Sequence, residues 1–317
     1  MSARARSPLS RTLVTALAVI GLLVLGAAPA EATTGHGQGA RTYVALGDSY
    51  ASGEGLAPYE ATGGSCDRSQ RQSYPERLRQ VGPRRFDRLI SAACSGATTG
   101  AVLASQTGAL TTRTRTVTLT VGGNDVGFAP ILLSCLYSPV PAVQQTLPGG
   151  KGCRAQDAQV DAAIAYLGGP AGGSGARVPL AGVIDEIADQ APHAQLLVSG
   201  YPQLLGVPAT DCQVNPAAPL FISAEDVTWI REETTALNAA IRAAVQRARD
   251  AGVRVRYVDA TRTFAGHGFC DRRSPWINGL VLAPGAALAP LPASFHPTAQ
   301  GQWAYAAAFV LATRSRR

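Results

Sequence analysis

The hydrophobic positions of this chain include four short runs that are rich in β-branched and apolar residues. They cover residues 42–46, 116–121, 195–199 and 253–258. Short runs of this kind, separated by turn-forming residues, are typical of buried β-strands. The pattern therefore predicts four strands at wide intervals along the chain.

Longer segments between these runs carry apolar residues at helical spacing. The clearest segment covers residues 224–251, where Ser223 can cap the N-terminus and Asp226 follows three residues later. Two further helices are predicted at residues 183–190 and 301–312. Strands that alternate with helices are typical of a parallel sheet covered on both faces. We therefore predict a three-layer α/β/α sandwich whose ligands bind beyond the carboxyl ends of the strands.

Three stretches rich in glycine and proline do not fit this sheet. They cover residues 139–179, 202–219 and 260–292. Each stretch follows a predicted strand or its adjoining loop, so all three are expected at the same edge of the sheet. Long irregular loops in a compact domain often carry function. We expect them to contact substrate. The alternative is that they are surface loops without a function.

The composition favours an ordered globular protein, because 46% of the 317 residues are hydrophobic and only 15% are charged. The formal net charge is +7, and six arginines near the termini contribute to it. They are not interleaved with aromatic residues, so we expect no nucleic-acid partner. A basic surface that tolerates anionic lipids or polymers is the preferred interpretation. The six are Arg4, Arg6 and Arg11 and, in the basic C-terminal tip 314–317, Arg314, Arg316 and Arg317.

The first 32 residues have the three parts of a secretory signal peptide. An arginine-bearing start precedes an apolar run at 13–28, and small residues surround Glu31. The run spans roughly sixteen residues, which is short for a bilayer span, although an uncleaved membrane anchor is the alternative. We predict cleavage after Ala32 and secretion to the extracellular medium. A flexible segment at 33–40 and a single domain at 41–313 are expected to follow.

Six cysteines lie in the predicted mature part. In an exported protein, an even number of cysteines predicts disulfide bonds, and six allow fifteen pairings. The sequential pairing is preferred because each bridge then closes a local loop between predicted core elements. Zinc is the alternative, but the chain has no CxxC or histidine-spaced cysteine pair, so we expect no metal. The predicted bridges are Cys66–Cys94, Cys135–Cys153 and Cys212–Cys270.

Four blocks along the chain carry the candidate chemistry. The first strand runs into GDSYASGEG at 47–55, and the later blocks are CSGAT at 94–98, VGGND at 121–125 and FHPT at 295–298. These blocks, in this order, resemble the GDSL, or SGNH, hydrolase superfamily. The cysteines, the leader and the Ser-x-Gly-Glu-Gly motif are most similar to its secreted actinobacterial branch of lipases, esterases and phospholipases. The resemblance spans nearly the whole mature chain and implies one domain, a mostly parallel five-stranded sheet and no cofactor.

The first and last blocks suggest a nucleophile and its base. Ser49 lies where a strand gives way to a turn, and Gly47 allows tight curvature there. His296 lies in the final loop, from which it could reach across the sheet edge and take the proton of Ser49. A turn serine and a helix-capping histidine are the alternatives. The four blocks together favour catalysis.

The middle blocks suggest donors for a developing oxyanion. The backbone N–H groups of Ser49 and Gly96 and the side-chain amide of Asn124 would provide three. Gly-Gly-Asn-Asp is also typical of a β-turn, and such a turn could present the amide. The acidic neighbours Asp48, Glu54 and Asp125 are predicted to form turns and caps.

The chain departs from the family pattern at the third member of the triad. Many relatives carry an aspartate three residues before the histidine, whereas Ala293 and then Ser294 stand here. By resemblance to members of the secreted branch, we expect the main-chain oxygen of Ser294 to orient His296, with that of Ala293 as the fallback. Asp259 and Asp271 are the alternatives.

These residues predict a secreted serine hydrolase that cleaves esters of lipids or simple alcohols through an acyl-enzyme, as a lipase, esterase or phospholipase. The protein is expected to be a monomer with transient contact to lipid surfaces. A carbohydrate O-acetylesterase is the enzymatic alternative, because similar blocks occur in such enzymes. The non-enzymatic alternative is an extracellular module that binds the cell envelope or a glycan.

Overall fold

The computed structural model describes residues 41–82, 86–147, 153–207, 209–285 and 289–314. These residues all fall within one compact unit. The predicted signal peptide at 1–32, the segment at 33–40 and residues 315–317 of the basic tip lie outside the described residues.

A five-stranded sheet with the order β2-β1-β3-β4-β7 forms the centre of the fold, and all its strands are parallel. Strands β1, β3 and β4 are buried along almost their whole length, because helices cover both faces. The described residues also form a two-stranded antiparallel ribbon, β5-β6. The strands are β1 (Thr42–Gly47), β2 (Arg88–Ser91), β3 (Thr114–Thr120), β4 (Gln195–Ser199), β5 (Cys212–Asn215), β6 (Leu220–Ile222) and β7 (Val255–Val258).

The helices lie in two groups. Helix α2 packs against α11, and α7 and α8 pack against the long helix α9. The described helices are α1 (Ser49–Ser52), α2 (Tyr74–Val81), α3 (Thr99–Ser105), α4 (Gly123–Val126), α5 (Phe128–Ser134), α6 (Pro141–Gln144), α7 (Asp157–Leu167), α8 (Leu180–Gln190), α9 (Ala224–Asp250), α10 (Ala260–Thr263) and α11 (Ala299–Arg314). None of the helices in the described part of the chain is long and apolar enough to cross a membrane.

The four predicted strands are present, with ends that differ by at most two residues. Helix α9 also agrees, and the Ser223 hydroxyl accepts a hydrogen bond from the backbone N–H of Asp226 at 3.0 Å. The sequence pattern missed β2, an edge strand that is only partly buried and has two apolar residues. The prediction of an irregular loop at 139–179 was wrong in part, because it contains α6 and α7. Helix α7 buries Val160, Ile164 and Leu167 at helical spacing.

The three disulfides have the predicted sequential pairing, Cys66–Cys94, Cys135–Cys153 and Cys212–Cys270. The first bridge lies next to the predicted site. Its Cys94 also donates a backbone hydrogen bond to the carbonyl of Gly47 at 2.9 Å. Cys94 is therefore held to Cys66 by the disulfide and to the end of β1 by its backbone hydrogen bond.

Reduction of the disulfides is expected to destabilise the protein. The bridges close loops of 28, 18 and 58 residues. Cross-links of these lengths each contribute about 3–4 kcal/mol by restricting the unfolded chain. We expect the melting temperature to fall after reduction and thiol alkylation of unfolded protein, measured by calorimetry against a sham-treated, refolded sample. An unchanged melting temperature after complete alkylation would contradict this expectation.

The sheet order places a crevice between β1 and β3. The chain moves from β1 to β2 on one side, and then to β3 on the other side of β1. In open α/β sheets, ligands bind beyond the carboxyl ends of strands at such a switch point. Ser49 lies two residues after the end of β1 and Asn124 lies shortly after β3, so both are at this edge.

Candidate active site

Ser49 is the first residue of α1, and the turn before it is held to the next strand. A Cβ on Gly47 would lie 2.2 Å from the carbonyl oxygen of Thr120, so only glycine fits at this approach of β1 to β3. The Asp48 carboxylate accepts hydrogen bonds from the Tyr50 N–H at 3.1 Å, the Thr120 hydroxyl at 2.9 Å and the Tyr201 hydroxyl. These contacts agree with the structural role predicted for Asp48.

The Asp48 carboxyl is completely buried. Burial raises its pKa to about 6, while the hydrogen bonds from Tyr201, Thr120 and Tyr50 oppose the rise. Its Tyr201 partner also accepts a hydrogen bond from the Gly123 N–H at 3.0 Å. Asp48 therefore links the turn at Ser49 to the turn that carries Asn124.

His296 lies against Ser49. Its Nε2 atom is 2.7 Å from the Ser49 Oγ, and its Nδ1 atom is 2.9 Å from the main-chain oxygen of Ser294. Because a carbonyl only accepts, Nδ1 carries the proton and the lone pair of Nε2 faces the hydroxyl. Asp259 instead caps α10, and Asp271 accepts from the backbone of its own loop. The structure thus brings Ser294, rather than either aspartate, to the imidazole.

The backbone around His296 is held in an uncommon conformation. Phe295 has a φ of +58°, which costs a non-glycine residue roughly 1–3 kcal/mol. The Tyr50 hydroxyl donates to the carbonyl of Phe295 at 2.9 Å. The backbone and side-chain N–H groups of Asn278 donate to the carbonyl of His296 at 2.9 and 3.1 Å. Sequence analysis missed Tyr50 and Asn278, because no local pattern marks such long-range contacts.

The predicted oxyanion donors lie on the other side of Ser49. Gly96 has a φ of +76°, and a Cβ there would meet no atom within 4 Å, so its surroundings are open. The Asn124 amide donates one hydrogen bond to the carbonyl of Ala97 at 3.0 Å. An NH₂ group has two hydrogens, so the second is available to a ligand. The Asp125 carboxylate accepts from the backbone and hydroxyl of Thr99 at the start of α3, as its predicted capping role requires.

The four predicted residues line one cavity of about 420 Å³. Loop 202–219 supplies Leu204 to its wall, and loop 260–292 supplies residues 290–292. The stretch 139–179 supplies no wall residue among those that the structure describes, so the expectation that all three stretches contact substrate is not met. Most of the wall is apolar, and it includes Phe128, Leu132, Leu133, Leu204, Leu237, Pro290, Leu291 and Pro292.

The partly buried imidazole is suited to act as a base at neutral pH. Burial lowers the pKa of His296 below its usual value, while Glu54 and the Ser294 carbonyl oppose this change. The imidazole is therefore uncharged at pH 7, with its Nε2 lone pair directed at the Ser49 hydroxyl. Glu54 also lines the cavity, a position that sequence analysis did not predict. Among the described residues, no group of three His, Cys, Asp or Glu side chains could hold a metal ion.

Comparison with known proteins identifies the family. Residues 45–304 match the family model described as GDSL-like lipase/acylhydrolase. The chain belongs to this family. A lipase from Streptomyces rimosus is 33% identical over 305 residues, which cover 95% of each protein. Family membership and this extensive similarity show that the GDSL-like protein is a carboxylic ester hydrolase.

Two solved structures resemble this GDSL-like hydrolase. The extracellular lipase of Streptomyces rimosus is 34% identical with a TM-score of 0.66, and the match covers 86% of this chain and 100% of that one. Phospholipase A1 from Streptomyces albidoflavus NA297 is 30% identical with a TM-score of 0.67, over 87% of this chain and 100% of that one. The predicted family and the three-layer fold are confirmed.

Proposed function

We propose that the protein is an extracellular serine hydrolase that cleaves acyl esters of lipids through an acyl-enzyme on Ser49. The observation that carries this proposal is the cavity, because its apolar wall leads to a serine hydroxyl paired with an uncharged imidazole. An apolar wall favours an acyl chain over a sugar. The lipase and phospholipase A1 relatives support the same substrate class.

The first half-reaction uses the Ser49–His296 pair. His296 Nε2 takes the proton of the Ser49 hydroxyl as Oγ attacks the ester carbonyl carbon. The carbonyl oxygen gains negative charge and accepts hydrogen bonds from the N–H groups of Ser49 and Gly96 and from the Asn124 amide. The carbon–oxygen bond to the alcohol then breaks, and His296 returns the proton to the departing alcohol.

The second half-reaction regenerates the enzyme. Water replaces the alcohol, and His296 Nε2 takes its proton as the water oxygen attacks the acyl carbon. The bond to Ser49 Oγ breaks, Oγ recovers the proton, and the carboxylic acid leaves. The Ser294 carbonyl holds Nδ1–H throughout, which keeps the same tautomer ready for both steps.

The extracellular location is part of the proposal. Disulfide bonds persist in oxidising compartments, and the chain has three. The solved Streptomyces rimosus relative is described as extracellular. The signal peptide predicted at residues 1–32 would direct export.

A panel of esters tests the substrate class. We expect kcat/KM to rise from acetyl to medium-chain esters by roughly two- to fourfold for each methylene that enters the cavity, because apolar burial is favourable. The purified protein would be assayed on p-nitrophenyl esters of increasing chain length, triglyceride, phosphatidylcholine and acetylated xylan. Activity that falls beyond acetyl, with xylan preferred, would support the carbohydrate O-acetylesterase instead.

A further inference from the structure

Glu54 places a carboxylate beside the imidazole, on the side that faces the nucleophile. Its Oε2 lies 3.7 Å from His296 Nε2 and accepts a hydrogen bond from the Ser95 hydroxyl. Only 13% of the Glu54 side chain is exposed. Of the carboxylates in the described ranges, this is the one that lies within 4.0 Å of an imidazole nitrogen of His296.

The Gly-Glu-Gly segment accounts for this placement. Helix α1 ends at Ser52, and the capping residue Gly53 has a φ of +80° that turns the chain back. The N–H groups of Gly53 and Glu54 both donate to the Ser49 carbonyl, at 3.0 and 3.1 Å. Gly55 has a φ of +87°, and a Cβ there would lie 2.7 Å from the Cα of Ala293. The two glycines thus set Glu54 between the nucleophile and the segment that carries His296.

The reaction creates a positive charge on the imidazole at this place. Proton transfer from Ser49 creates an imidazolium, and a triad acid would stabilise it through Nδ1. Here Nδ1 faces the neutral carbonyl of Ser294. A carbonyl fixes the tautomer but supplies no full charge to balance the imidazolium.

The other titratable groups around the imidazole do not supply the balancing negative charge. The ring of Tyr50 lies 5.3 Å from that of His296, and Tyr201 and Tyr305 pack against Tyr50. Burial raises the pKa of all three tyrosines, which keeps them uncharged. The Asp48 carboxyl is occupied by its own donors.

We propose that Glu54 is a positioning residue that stabilises the His296 imidazolium and so replaces the charge of the absent triad acid. The proton moves from Ser49 Oγ to His296 Nε2 and then to the leaving alcohol, while Glu54 stays ionised and does not accept it. This inference rests on the role proposed above for His296. The effect of Glu54 on the pKa of His296, which it raises against the opposing effect of burial, has the expected sign.

The test is the pH profile of Glu54→Gln on a neutral ester. Removing the carboxylate removes an influence that raises the pKa of His296, so the imidazole stays uncharged to lower pH. An opposite charge within about 4–6 Å typically shifts a pKa by about 1–3 units. We therefore expect the acid limb of kcat/KM to move to lower pH by about one unit or more. We expect kcat to fall roughly tenfold, because one pKa unit corresponds to a factor of ten. KM should change little.

Two controls separate charge from structure. Glu225→Gln removes a carboxylate whose side chain is 78% exposed at the start of α9, and it should leave both kcat and the acid limb unchanged. Ser95→Ala removes the hydroxyl bonded to Glu54 but keeps the charge, so it should retain the acid limb of the unaltered protein. If Glu54→Gln fails to fold, Glu54→Ala is the second neutral variant. An NMR titration should also place the pKa of His296 lower in Glu54→Gln than in the unaltered protein.

The outcomes also separate this inference from the proposed function. If Ser49 and His296 variants are inactive while a folded Glu54→Gln keeps the original kcat and acid limb, the Glu54 proposal alone is overturned. A pKa of His296 that is the same in Glu54→Gln and in the unaltered protein overturns it as well. A His296→Ala variant with undiminished activity would overturn the proposed function itself.

Discussion

Replacing Ser49 by alanine is expected to lower kcat for ester hydrolysis by roughly 10⁴- to 10⁶-fold, the loss seen when a serine nucleophile is removed. The variant loses the oxygen that forms the acyl-enzyme. Its fold should survive, because among the described residues the Ser49 Oγ forms its hydrogen bond with His296 Nε2. Initial rates on a medium-chain p-nitrophenyl ester, with circular dichroism to verify folding, provide the measurement.

Ser52→Ala is the matched control for this change. Ser52 lies on the same short helix and is buried, but its hydroxyl donates to the Ser49 carbonyl rather than facing His296. We expect it to retain most of the activity. A folded Ser49→Ala protein that hydrolyses the ester as fast as Ser52→Ala would show that Ser49 is not the nucleophile.

Replacing Asn124 by alanine is expected to lower kcat by about 10²- to 10³-fold with little change in KM, because one donor to the oxyanion is lost. The effect falls on kcat because the carbonyl oxygen becomes strongly charged only in the transition state. Steady-state kinetics on the same ester at saturating and limiting concentrations separate the two parameters.

The Asn124→Asp variant tests whether Asn124 donates a hydrogen bond to the oxyanion or only shapes the turn. Aspartate is nearly the same size and is common in turns, but its ionised carboxylate cannot donate a hydrogen bond. The structure has the Asn124 amide donating to the Ala97 carbonyl, a contact that aspartate would also lose. We expect a loss of kcat at least as large as that of Asn124→Ala. An Asn124→Asp enzyme with the original kcat would show that Asn124 only shapes the turn.

Features that depend on local pattern were predictable from the sequence. The central strands are apolar because both faces are buried, and helix α9 carries its cap and its periodicity within one segment. The candidate site residues were found because their blocks resemble a known family. By contrast, β2 is a partly exposed edge strand, and α7 lies in a stretch whose many glycines and prolines indicated loop.

Features that depend on distant contacts were not predictable. The position of the Glu54 carboxylate requires left-handed backbone at Gly53 and Gly55 and a close approach to Ala293. The strained backbone at Phe295 is balanced by a hydrogen bond from Tyr50, which lies beside the nucleophile at the other end of the chain. Neither contact leaves a periodic or compositional signal. Residue type alone therefore indicated a cap for Glu54, although its side chain faces His296.

The most direct measurement is the location of a covalent adduct by peptide mass spectrometry after treatment with a fluorophosphonate. A single adduct on the Ser49 peptide is predicted, with labelling greatly slowed in His296→Ala because the hydroxyl then lacks its base. An adduct on another residue, or no adduct on a protein that still hydrolyses esters, would contradict the proposed nucleophile.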